Sequence, residues 1–152
     1  MVRQVIRNKV LVIPYTTLAD GSFEFLMVQD RKTTEWGFIS GGMKRNEQPE
    51  QAAIREVYEE TSGVLNTDDL VYVTSFVSMY RPVELKEVDR RNGERVKSVI
   101  HLFMLGFDKT TLKPFYPNKE VTDLRVAKYD DFTNVWSFCD DVYFERVSSL
   151  FN

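Results

Sequence analysis

In 152 residues the sequence holds one cysteine, Cys139, and one histidine, His101. A lone cysteine excludes an intrachain disulfide and any zinc cage built from several thiolates. A lone histidine excludes a His-rich metal site and argues against Ser–His or Cys–His nucleophilic triads. Nothing approaches the ~20 apolar residues that span a bilayer. Met1 to Lys9 carries basic residues without the apolar run of a signal peptide, so a cytoplasmic location and no membrane partner are expected. Positive charge is scarce too. Twenty Lys and Arg face 23 Asp and Glu, and the net charge of −3 leaves no broad basic footprint for duplex nucleic acid. A small polyanion remains admissible, because bound metal and a few local cations can neutralise it.

What is present fits one globular domain over 1–152, with 43% hydrophobic and 28% charged residues. Val5 to Tyr15 reads as a strand interrupted by Arg7, Asn8 and Lys9. A turn at Ala19 to Ser22 leads to a second strand, Phe23 to Gln29, and makes a hairpin. Lys32 to Glu35 is a polar loop, Trp36 to Ile39 a short apolar run, and Ser40-Gly41-Gly42 is expected to be a loop. Glu50 to Thr61 reads as a helix, with Pro49 at its start, Gly63 at its end, and Ala53 and Val57 on the buried side. Leu70 to Met79 and Val99 to Phe107 are further strands. They flank a charged stretch, Arg81 to Lys97, with a turn at Asn92-Gly93. Tyr129 to Phe132 opens a short helix. Asp140 to Phe151 reads as a final amphipathic helix with Val142, Phe144, Val147 and Leu150 inward. That order predicts an α/β (α+β) sandwich.

The chemistry concentrates in Gly41 to Val64. Glu56, Glu59 and Glu60 stand at i, i+3 and i+4, which puts three carboxylates on one helical face. Like charges so placed are unfavourable unless a cation lies between them, and hard divalent cations take all-oxygen ligand sets. Glu47 can pair with Arg55 and tie the preceding loop to the helix. Taken alone, Glu59-Glu60 fits a solvated helix end. The whole spacing argues otherwise: Gly41, five residues, Glu47, seven residues, Arg55-Glu56-Val57, one residue, Glu59-Glu60. This pattern resembles the Nudix box.

The resemblance implies a Nudix-like α/β/α sandwich with a mixed central sheet. It also implies metal-dependent hydrolysis of a pyrophosphate bond in a nucleoside diphosphate-X or nucleoside triphosphate. Mg²⁺ or Mn²⁺ is the implied cofactor. Glu56 and Glu60 would be the principal ligands, with Glu59 beside them and the Ser40 carbonyl as a further donor. Arg55, paired with Glu47, would orient the glutamates. The general base would be Glu120, with Glu59 second, although Glu84, Glu87 and Glu94 are also available. Asn118 to Val121 and Leu124 to Val126 resemble the later segment in which many members place a further glutamate. For substrate, Arg31, Lys32, Lys44, Gly41 and Gly42 are the candidates to contact the phosphates. Tyr80, Arg81, Phe115 and Tyr116 offer stacking or charge, though packing or surface explains each as simply. His101 and Cys139 read as structural.

There are departures from the box. Ser62 occupies its terminal glycine, with Gly63 one place late, so the helix runs longer or ends differently. Ile39-Ser40 stands where Pro-Gly is common, and Lys44 where an acid is common. Gly41-Gly42-Met43 resembles the loop of diphosphoinositol polyphosphate hydrolases, but few cations lie near it. Dinucleoside polyphosphates also stay open. A 5′-cap hydrolase acting on RNA is kept alive by the basic segment Asp89 to Arg95. A nucleotide-binding regulator without activity is the non-enzymatic alternative, and a homodimer is a family-level expectation.

Overall fold

The structure, a computed structural model, describes residues 3–78, 94–143 and 147. Tyr80, Arg81, Glu84, Glu87, the Asn92-Gly93 turn, Phe144 and Leu150 lie outside the described residues.

Seven strands form one mixed sheet: β1 (Arg3–Thr17), β2 (Phe23–Asp30), β3 (Trp36–Gly37), β4 (Ile39–Gly42), β5 (Leu70–Ser78), β6 (Glu94–Gly106) and β7 (Val121–Ala127). The path runs β3-β2-β1-β6-β5, with β4 also on β1 and β7 also on β2. The β1–β6 pair is parallel and the other pairs are antiparallel. Among the described residues, helix α1 (Pro49–Thr61), the short helix α2 (Ser137–Val142) and 3₁₀ turns at Lys109–Thr111 and Tyr129–Asp131 accompany the sheet.

Residues Val10 to Ile13 of β1 are all fully buried, because both faces of the sheet are covered. Alternation then divides the core in two. Val10, Val12, Leu26 and Val28 pack with Ala52, Ala53 and Val57 of α1. Leu11, Ile13, Phe25 and Met27 pack with Cys139 and Val142 of α2 and with Val147. A one-residue slip of β1 would exchange the two sets. The expected sandwich of a mixed sheet between helices is what the chain forms.

Several element bounds differ from the sequence reading. Strand β1 runs unbroken through Arg7, Asn8 and Lys9, since continuous pairing with β6 outweighs their low strand preference. The last helix begins at Ser137, three residues before the expected Asp140. Trp36 to Ile39 splits into two strands with different partners, β3 on β2 and β4 on β1. The expected loop at Ser40-Gly41-Gly42 is instead strand β4, in register with Leu11, Val10 and Lys9. Neither glycine has a positive φ, so conformational freedom is not why they are there.

Helix α1 starts as its sequence suggests. Pro49 takes the first position, where no amide partner is lost, and the amide of Gln48 donates to the Gln51 side chain at 2.9 Å. The helix ends at Thr61. Ser62 then turns left-handed (φ 54°) and Gly63 follows at φ 82°.

Candidate active site

Arg55 organises the box. Its Nε and Nη2 clamp Glu47 at 2.8 and 2.9 Å, and Nη2 also donates to the Gly42 carbonyl at 3.0 Å. Its Nη1 donates to Glu56 at 2.8 Å and to Glu59 at 3.3 Å. All five guanidinium N–H groups therefore have acceptors. The Glu47 carboxylate also accepts the Lys44 amide at 2.9 Å. Arg55 and these bonds hold the Glu47 carboxyl down at about 2. This clasp joins strand β4, the loop after it and α1 into one unit.

Gly41 is explained by space. A β-carbon there would overlap the Glu56 carboxylate, whereas one at Gly42 would meet nothing within 4 Å. Glu56 is buried against the strand, and among the described residues Arg55 is the cation paired with it.

The carboxylates that converge are Glu56, Glu60 and Glu120, each offering an oxygen within 4.8 Å of the others. Glu59 shares their helix but leans on Arg55, with 42% of its side chain exposed. Burial, then the charges of Glu56, Glu120 and Asp30, push the Glu60 carboxyl well above the usual carboxylate range, against one bond from the Ser40 amide at 3.2 Å. Burial also raises Glu56, partly offset by Arg55. Three carboxyl groups with too little positive charge among them form an oxygen donor set suited to a hard divalent cation.

Glu120 arrives on a braced loop. The Asn118 side-chain carbonyl accepts the amides of Glu120 and Val121 at 3.0 and 2.9 Å, and its amide donates to the Glu60 carbonyl and to Ser62 Oγ, both at 3.2 Å. Ser62 Oγ donates to the Tyr116 carbonyl at 2.5 Å. The serine that replaces the box glycine thus latches the Glu120 loop to the end of α1. Arg31 is part of the same brace. Its Nε and Nη2 donate to the Asn118 carbonyl at 3.1 and 2.7 Å, and its amide donates to the Glu120 carbonyl at 2.9 Å.

A cavity of about 530 Å³ opens beside Glu60 and Glu120. Arg31, Lys32, Lys119 and Trp136 also line it. Gly41, Gly42 and Lys44 are not among its lining residues. Phe115 packs against the α1-side core, and Tyr116 is exposed. His101 sits between the Tyr72 hydroxyl (2.9 Å) and Asn8 Oδ1 (3.3 Å), a structural role. Cys139 is buried, accepts the Phe38 amide at 3.4 Å, and has its thiol pushed up to about 12 by burial. Sequence reasoning missed the bonds of Ser62 and Asn118 and the place of Trp136, because each depends on distant segments that only the fold brings together.

A family model described as the NUDIX domain matches residues 7–145. Among solved structures, a NUDIX hydrolase from Listeria monocytogenes is 18% identical with a TM-score of 0.69, covering 93% of this chain and 92% of its own. A Caenorhabditis elegans Ap4A hydrolase complex is 20% identical at TM-score 0.63, covering 95% and 96%. The Escherichia coli dihydroneopterin triphosphate pyrophosphohydrolase is 18% identical at 0.60, covering 93% and 95%. One matched MutT/nudix protein is longer, and the chain spans 43% of it. At these identities the likeness is one of fold. No curated protein matches. Among the described residues, no helix is long and apolar enough to cross a membrane.

Proposed function

The chain belongs to the NUDIX family of pyrophosphohydrolases, and from that premise we propose that it hydrolyses the diphosphate linkage of a nucleoside diphosphate-X or nucleoside triphosphate, releasing a nucleoside monophosphate-type product. The observation that carries this reading is the convergence of Glu56, Glu60 and Glu120, two of which, Glu60 and Glu120, line a cavity that Lys32 and Lys119 also line. Glu56 and Glu60 would hold Mg²⁺ or Mn²⁺, with Glu120 completing the donor set. Such a cation, when bound, neutralises charge on phosphate oxygens and acidifies a water.

The remaining work belongs to the chain. Arg55 fixes Glu56 through Nη1 and keeps Glu59 away from the cluster. Glu120, the most exposed of the three, accepts a proton from the attacking water as its oxygen bonds to phosphorus. The bridging P–O bond breaks, and the leaving phosphate departs as an anion toward the lysines. A nucleotide panel assayed with Mg²⁺ and Mn²⁺ in ¹⁸O-labelled water tests the reading. One labelled phosphate product per turnover is expected. Binding of nucleotides without turnover would instead favour a regulator.

The loop brace gives a prediction in which rate and stability part company. Ser62→Gly removes a left-handed non-glycine residue, whose strain is of the order of 1–2 kcal/mol, and also removes two hydrogen bonds worth about 1 kcal/mol each. Stability should stay within about 1 kcal/mol of the parent. The rate should fall about tenfold, because the Glu120 loop loses two of the bonds that tie it to the end of α1 while those from Asn118 and Arg31 remain. Thermal melts and initial rates on one preparation check both.

A further inference from the structure

The cavity has two unlike kinds of lining. Glu60 and Glu120 are carboxylates, whereas Gly37, Phe38 and Trp136 offer an apolar wall. Trp136 is 39% exposed, whereas Trp36 is partly buried and packs against Phe132 at 5.6 Å between ring centroids.

The Trp136 ring is held in place from several sides. Its amide donates to the Trp36 carbonyl at 2.9 Å, and its own carbonyl accepts the Cys139 amide at 2.8 Å. The preceding residue, Val135, bridges to Trp36 in parallel. The ring leans on Phe138 at 4.9 Å and reaches over Gly37, where Cε3 would lie 3.9 Å from an added β-carbon. A large aromatic surface is therefore kept in water by main-chain bonds that give it little freedom to fold away. Leaving apolar area exposed forgoes about 25 cal/mol per Å², which a ligand that covers it recovers.

Distance along the chain identifies the ligand. Ser40, whose amide binds Glu60, lies three residues from Gly37 under the Trp136 ring. At ~3.3 Å per extended residue that is about 10 Å. A ribose and the first phosphate bridge such a gap, with the base at one end and the second phosphate of the diphosphate at the other. The geometry points to Trp136 as the stacking platform for the base of a nucleoside diphosphate substrate. This rests on the proposed function and narrows it: inorganic and inositol pyrophosphates lack a planar group to cover the ring. Stacking tolerates any base, since each has a π-face.

The test uses fluorescence and kinetics on the full chain. Trp36→Phe leaves Trp136 as the only tryptophan. In that variant, with Ca²⁺ present, ADP is expected to quench the emission saturably and inorganic pyrophosphate is not. For a nucleotide that the parent turns over, Trp136→Ala should raise KM about tenfold with kcat within about threefold, and Trp136→Phe should restore most of the loss. Equal quenching by pyrophosphate, no quenching by ADP, or an unchanged KM in Trp136→Ala overturns the platform. Absence of turnover in the parent removes the enzymatic reading instead, and the ADP-against-pyrophosphate comparison still decides Trp136. It also decides if Trp136→Ala fails to fold.

Discussion

Glu60→Gln is expected to lower turnover roughly a thousandfold or more while raising the stability of the metal-free protein. The two effects share one cause. Glu60 lies among Glu56, Glu120 and Asp30, and burial together with their charge pushes its carboxyl well above the usual range. A group whose folded pKa is raised contributes stability that is complete below its unfolded value, near 4.5, and is lost as pH rises through the folded value. At neutral pH the metal-free site is therefore a liability, and the neutral amide removes it. A divalent cation removes it as well. At a hundred times its Kd, binding stabilises by about 2.7 kcal/mol, or about 5–10 °C in Tm for a chain this size. The parent should show that rise with Mg²⁺ or Mn²⁺, larger at pH 8 than at pH 5, and Glu60→Gln should show little at either. The rate loss corresponds to about 4 kcal/mol at 1.36 kcal/mol per decade, within the several kcal/mol a metal supplies to a transition state. Parent-like activity in the variant would remove Glu60 from the site.

The second large effect separates two adjacent glycines. Gly41→Ala puts a β-carbon into the Glu56 carboxylate, while Gly42→Ala puts one into open space. Glu56 cannot move aside without leaving Arg55 Nη1, whose bond to it is 2.8 Å long. Gly41→Ala should cost about 1–3 kcal/mol of stability by overpacking, and about a hundredfold in rate because a ligand is displaced. Gly42→Ala, with no positive φ to strain, should stay within a few-fold of the parent. Initial rates for the pair, with melts alongside, check this. Equal losses in both would mean that the strand needs glycine for some reason other than Glu56.

These glycines also show where sequence reasoning stops. Adjacent glycines suggest a flexible loop, because torsional freedom is the property one residue reveals by itself. The reason for Gly41 is a neighbour fifteen positions away, and only the fold supplies it. The Arg55–Glu47 pair was legible, since a fixed spacing across a helix start determines it. Helix α1 and the hairpin were legible because periodicity and turn residues act locally, whereas the mixed sheet followed from the family resemblance, since its parallel β1–β6 pair joins segments about ninety residues apart. The carboxylate trio was legible only in part. Helical spacing put Glu56, Glu59 and Glu60 on one face, but Arg55 draws Glu59 away and the 118–121 loop brings Glu120 in. Ser62 looked like a defect in the box, and its hydroxyl turns out to tether that loop. Trp136 stands far from the box in sequence, and nothing in its local pattern signals a cavity wall.

The grouping of Glu56, Glu60 and Glu120 around one cation is tested most directly by Mn²⁺ titration followed by electron paramagnetic resonance, comparing the parent with single Glu→Gln variants at positions 56, 59, 60 and 120. The account predicts that Glu56→Gln, Glu60→Gln and Glu120→Gln each weaken Mn²⁺ binding tenfold or more, and that Glu59→Gln weakens it less. Parent-like binding in Glu120→Gln, together with the largest loss in Glu59→Gln, would contradict it.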